Sequence, residues 1–285
     1  MRLFFSAMVL AAGLICGPAF ARDTAPVPAW IEVNGVVLRY QLTGNGEDVV
    51  VLLPSTGKTL EYWDELVPSL AKRNRTILRY DIRGSGLSQK LTEPVTMQQE
   101  VGDLEALLQA LKLTGKVTMI GTAFGGSIQL QYAAQYPERV RGVIVVSPSS
   151  VLVPRKPGDP PSGPVIPPHP DDPYAVTYPK QLRTDPVRWS RFVGMERSND
   201  PESKHFTDAL IVSTPFADVV PKIQCPVLLV ATRLYPRRTP ENVEEFARSM
   251  PHAEVAVIEA GHDAPFQSPE LVLPLLNKYL RAWGI

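Results

Sequence analysis

The sequence predicts an α/β fold, a mostly parallel central sheet with helices on both faces. Three observations carry this. An antiparallel start is written as two strand-like runs around Asn34-Gly35. Short apolar runs such as Val49–Leu53 and Val140–Val146 follow, as in strands buried on both faces. Helical periodicities alternate with those runs, the order that builds βα units.

Trp30–Val33 and Val36–Thr43 flank Asn34-Gly35, a pair that tolerates the positive φ angles of a tight primed turn. Val49–Leu53 is the first buried strand. Leu60–Lys72 reads as a helix and Arg75–Asp81 as the next strand. Thr96 and Gln99 form a capping box, and Met97, Val101, Leu104, Leu108 and Leu111 then line one helical face. Val117–Gly121 is a short strand, followed by a helix to about Gln135, and Val140–Val146 is strand again. Pro226–Ala231 is strand, Glu241–Met250 helix, Glu254–Ile258 strand, and Pro269–Trp283 a closing helix.

One interruption separates Val146 from Pro226. Pro154–Pro173 holds nine prolines in twenty residues, which excludes a helix or a central strand and predicts an extended surface course. Asp185–Met195 and Glu202–Val212 are helical candidates, anchored by Trp189, Phe192, Phe206 and Leu210. The expected organisation is a leader at 1–21, a core in two parts at 22–147 and 225–285, and a proline-rich insertion at 148–224. An insertion there can serve as a lid over a pocket.

Bulk composition narrows the function classes. Basic and acidic residues balance at 29 each, with no basic arm to suggest nucleic acid. Met1–Ala21 reads as a secretory signal: Arg2 starts it, Leu3–Ile15 is apolar, and Ala19-Phe20-Ala21 fits a small-x-small cleavage site. The expected location is periplasmic or secreted, with no stable membrane anchor after cleavage. Only Cys225 would then remain, so no internal disulfide is expected. No cluster of His, Cys and carboxylates has metal-ligand spacing, and no cofactor is expected.

The chemistry centres on Gly121-Thr122-Ala123-Phe124-Gly125. This has the glycine frame of a nucleophile elbow, G-x-S-x-G, with alanine in the serine position. A methyl group cannot attack a carbonyl. Gly121, Gly125 and Gly126 nevertheless permit a sharp strand-to-helix turn. Phe124 would offer its backbone N–H at a helix N-terminus, where negative charge is favoured.

Four features together resemble the α/β-hydrolase superfamily over nearly the whole chain beyond the leader. They are the elbow frame Gly121–Gly126, the turn Asp81-Ile82-Arg83-Gly84-Ser85-Gly86-Leu87-Ser88, Gly261-His262 after a late strand, and the place of the insertion. The resemblance implies that His262 is a general base. It also implies an oxyanion hole from the Phe124 amide and an amide of the turn Pro54-Ser55-Thr56-Gly57, with Thr56 the donor by position. This turn departs from the family's usual His-Gly.

The family's orienting acid is absent from its usual place. Thr232–Pro240 contains no Asp or Glu and three arginines, Arg233, Arg237 and Arg238, each expected to be solvated at the surface. Glu241, Asp263 and Asp81 are weak substitutes: Glu241 reads as a helix start, Asp263 as diverging from its neighbour His262, and Asp81 as structural. Ser55 or Thr56 could replace the nucleophile. With serine, acid and His-Gly all missing, the site reads as naturally divergent. The expected function is hydrolysis of a small carbonyl substrate by His262 without a serine nucleophile. The alternatives are a small-molecule-binding pseudo-hydrolase, and a triad rebuilt from Ser55 and Glu241.

Overall fold

A computed structural model describes residues 26–72, 74–149, 185–235 and 238–285. The segment Met1–Ala21, expected to be a leader, and the proline-rich stretch Pro154–Pro173 lie outside the described residues. Among the described residues eight strands form one sheet: β1 (Ala29–Val33), β2 (Val36–Thr43), β3 (Asp48–Leu53), β4 (Arg75–Tyr80), β5 (Val117–Thr122), β6 (Val140–Val146), β7 (Val227–Thr232) and β8 (Ala253–Ile258). Their order across the sheet is β1-β2-β4-β3-β5-β6-β7-β8. The β1–β2 and β2–β4 pairs are antiparallel. All later pairs are parallel.

The hairpin turn forms as its residues dictate. Val33 pairs with Val36, and Asn34 and Gly35 take φ of 48° and 72°. The strand pleat then divides the core. Val49, Val51 and Leu53 of β3 face one side, with Leu104 and Leu108 of α2 (Met97–Ala110), Ile128 and Leu130 of α3 (Phe124–Gln135) and Val243 of α6 (Pro240–Ala247). Val50 and Leu52 face the other side, with Tyr62, Trp63 and the apolar stripe Val272, Leu276 and Leu280 of α8 (Pro269–Ala282). The capping box at Thr96 and Gln99 is present in both directions.

One expected helix is broken. Leu60–Lys72 folds as a 3₁₀ turn, Leu60–Trp63, and a single helical turn α1, Val67–Leu70. Pro68 explains the break. It has no N–H to give the Asp64 carbonyl, and its ring crowds that position. Between β6 and β7 the described elements include α4 (Pro186–Arg197) and α5 (Pro201–Ser213), each begun by an aspartate N-cap and a proline. Phe192 of α4 joins the second core side and Leu210 of α5 the first.

Glu100 of α2 is buried, and both its carboxyl oxygens lack a hydrogen-bond partner among the described residues. Burial pushes its pKa well above the usual carboxylate range, and nearby Asp103 adds to this. The folded state therefore holds a proton that the unfolded state releases near 4.5. Its stabilising contribution is full below that value and is lost as pH rises towards the folded pKa. Glu100→Gln is expected to flatten this fall. Urea unfolding at pH 5 and pH 8 should show a smaller stability difference in the variant than in the wild type.

Candidate active site

The elbow exists, and its geometry is strained. Ala123 stands between β5 and α3 with φ 47° and ψ −110°. Few non-glycine residues adopt such a backbone, and it persists only where the surroundings hold it. Here the Ala123 N–H donates to the Val146 carbonyl at 3.0 Å, and the Ala123 carbonyl accepts from the Ser127 N–H at 3.1 Å. The flanking glycines are required by contact. A Cβ at Gly125 would lie 2.4 Å from the Pro54 carbonyl oxygen. One at Gly121 would lie 2.5 Å from the Gly126 nitrogen. The elbow thus packs directly on the exit of β3. Phe124 opens α3, where the first amides have no partner within the helix.

The β3 exit makes a second tight turn. Gly57 takes φ 75°, and the Lys58 N–H donates to the Ser55 carbonyl at 3.1 Å. Ser55 is buried and Thr56 half-buried. Asp81 braces the chain beyond this turn. Its carboxylate accepts from the Leu60 N–H at 2.6 Å, the Leu87 N–H at 2.9 Å and Arg39 at 3.2 Å. Asp81 is structural, as its motif implies.

His262 follows β8 and is partly exposed. The Tyr235 ring packs against it with centroids 4.7 Å apart. The exits of β7 and β8 are tied together: the Arg233 N–H donates to Ile258 and the Leu234 N–H to Ala260. The imidazole Nδ1 lies 3.4 Å from Oδ1 of Asp263. That is longer than the ~2.7–2.9 Å of a tight charge-assisted hydrogen bond, and Oδ1 has no hydrogen-bond partner among the described residues.

Here the structure differs from the expected divergence of neighbouring side chains. Asp263 has φ −93° and ψ 42° and caps the short helix α7 (Ala264–Gln267), so the backbone turns instead of extending. Burial alone would raise the Asp263 pKa. Lys58, His262 and the Tyr62 hydroxyl outweigh it and hold the carboxyl down to about 2. Asp263 is therefore a fixed anion against the histidine.

Sequence reasoning missed Lys58. Its Nζ is buried, 3.9 Å from Asp263 and in an ion pair with Glu196 of α4. It also sits 4.4 Å over the Phe192 ring. Burial draws its pKa below the ordinary lysine value, opposed by Asp263. The available signal was a lysine immediately after the Pro54–Gly57 turn, at the end of a buried strand.

A family model described as alpha/beta hydrolase fold matches residues 48–196, just over half of the 285-residue chain. The chain belongs to the α/β-hydrolase fold family. Among similar proteins is the serine hydrolase BPHL of Homo sapiens, 34% identical over 135 residues, 45% of each chain. Another is the cis-3-alkyl-4-alkyloxetan-2-one decarboxylase of Shewanella oneidensis, 32% identical over 124 residues, 42% of this chain and 38% of that one. The chain spans under half the length of the curated relatives it matches. Among solved structures, the enol-lactonase of Burkholderia xenovorans LB400 superposes with TM-score 0.74 at 22% identity, covering 89% of this chain and all of that one. An esterase from Thermogutta terrifontis gives 0.72 at 24% identity, covering 91% and 99%. At these identities the structural likeness shows the fold alone.

The other residues singled out on the α/β-hydrolase pattern fall as follows. Glu241 is exposed in the first turn of α6, where Thr239 and the helix start hold its charge, matching the helix-start reading. Of the acids considered, Asp263 is the one that touches His262. Arg233 is exposed and pairs with Glu259 at 2.6 Å. Arg238 is buried, which corrects the expectation that it is solvated. Arg237 and His169 lie outside the described residues, and His205 and His252 are exposed.

Proposed function

We propose that this chain hydrolyses a small carbonyl compound, an ester, lactone or similar acyl substrate, with His262 as general base on water. The contact between His262 and the buried, ionised Asp263 carries this reading. It supplies a histidine held against an anion, in a fold of the hydrolase type whose elbow has no nucleophile. In this scheme the outer ring nitrogen of His262 takes a proton from water as the water oxygen attacks the carbonyl carbon. Asp263 stabilises the imidazolium that forms. The Phe124 and Thr56 amides support the oxyanion. Collapse expels the alkoxide, which takes the proton back from His262.

The magnitudes suffice for a slow enzyme. General base catalysis contributes about 10²–10⁴-fold, and an oxyanion donor about 10²–10³-fold. A lactone is the favoured member of the class. One similar protein carries lactone chemistry in its name, an oxetan-2-one decarboxylase. Ring strain in a four-membered lactone lowers the barrier to attack by a nucleophile as weak as water. In this reading α4 and α5 belong to a lid over the site, and Met1–Ala21 directs the chain to the periplasm or outside the cell.

A second reading, a small-molecule-binding protein without turnover, is favoured by Ala123 itself. A panel of esters, lactones and thioesters separates the two. Turnover above the buffer rate supports the enzyme. Saturable binding with no turnover across the panel moves the weight to the binder.

A further inference from the structure

Lys58 has no role in the scheme above, yet it is a buried cation engaged by Glu196, Asp263 and the Phe192 ring. It lies in an alternating row of charges. Glu196 on α4 pairs with Lys58, Lys58 lies 3.9 Å from Asp263, and Asp263 lies 3.4 Å from Nδ1 of His262. Both inner members are nearly sealed, with side-chain exposures of 4% for Lys58 and 6% for Asp263, so water screens these contacts little. The outer end of the row is anchored. Asn199 donates from Nδ2 to the Gly57 carbonyl at 2.8 Å, which fixes the end of α4 against the turn that carries Lys58. Glu196 and Asn199 also line a cavity of about 440 Å³ with Lys204 and His205.

We infer that Lys58 is a positioning residue, tying Asp263, and through it the His262 imidazole, to the Glu196 carboxylate of the inserted helix α4. The inference rests on His262 being the base. Two carboxylates compete for one ammonium. When Glu196 is seated, it draws the Lys58 charge away from Asp263, leaving Asp263 more fully to the imidazolium. When α4 lifts away, the ammonium belongs to Asp263 alone and the imidazolium is less favoured. The seat of α4 therefore sets the basicity of His262.

Other charged or titratable groups facing the row are Lys204 of α5 beside Lys58, the Tyr62 hydroxyl beside Asp263, and Tyr235 against His262. None reverses the sign. Lys204 acts on Lys58 from the α5 side, and the two tyrosines are unchanged in every variant compared. In Lys58→Met the His262 imidazole and the Tyr62 hydroxyl remain against Asp263.

The test is an NMR titration of the full chain with labelled histidines, the His262 signal being assigned by its loss in His262→Gln. Lys58→Met removes the cation and is expected to raise the proton affinity of His262 on the order of fivefold. Glu196→Gln is expected to lower it. Lys58→Arg, which keeps the charge, should leave it near the wild-type value. Shifts of opposite sign are not produced by loosening of the fold. Should Lys58→Met fail to fold, Glu196→Gln carries the test alone. An unmoved His262 midpoint in Glu196→Gln, or a rise, overturns the inference. Failure of the hydrolase reading shows separately, as a wild type that turns over nothing while its His262 midpoint still responds.

Discussion

Replacing His262 with glutamine is expected to lower kcat by about 10²–10⁴-fold on the best ester or lactone, the range general base catalysis supplies. Glutamine keeps polarity and much of the shape but cannot accept and return a proton. The residual rate is what the oxyanion donors alone provide. Affinity should change little, because the ring is partly exposed and its partners Asp263 and Tyr235 remain. Steady-state kinetics with a direct binding measurement separate the two effects, since a group that acts mainly in the transition state changes kcat and leaves substrate binding almost intact. An equal loss in binding would assign His262 to ligand recognition.

Gly125→Ala should be strongly destabilising, costing about 3 kcal/mol. The new methyl would meet the Pro54 carbonyl oxygen at 2.4 Å and the Leu53 carbonyl oxygen at 2.6 Å. Those are backbone atoms at the end of β3, and they cannot rotate aside. Relief requires moving the elbow off the sheet, which also displaces Ala123 and the Phe124 amide. At roughly 2–4 °C per kcal/mol for a domain of this size, Tm should fall by about 10 °C. Gly194→Ala on α4 is the matched control. Nothing lies within 4 Å of its added methyl. It should be neutral or stabilising by up to about 1 kcal/mol, as for glycine replaced in a helix interior.

What the sequence made legible was local. The Asn34-Gly35 hairpin, the Thr96 capping box and the elbow glycines each declare a backbone geometry through their own chemistry, and each is found in place. The buried strands were readable because two-sided burial leaves continuous apolar runs. The misreadings came where a local signal was outweighed or a partner was remote. Pro68 was passed over inside an apparent helix. Asp263 was set aside because adjacent side chains diverge in extended backbone, but its backbone turns into α7. Lys58 and Glu196 are 138 positions apart, and their pairing is made by the docking of α4 on the β3 exit. Arg238, in an arginine-rich loop, gave no sign that it is buried.

A rebuilt site that uses water directly forms no covalent enzyme intermediate. Incubation with a fluorophosphonate reagent, followed by intact mass and substrate turnover on the same sample, tests this most directly. Ala123 offers the reagent no hydroxyl, so the protein should keep both its mass and its activity. A stoichiometric adduct at Ser55, with turnover lost in proportion, would contradict the account and establish a substitute nucleophile at the end of β3.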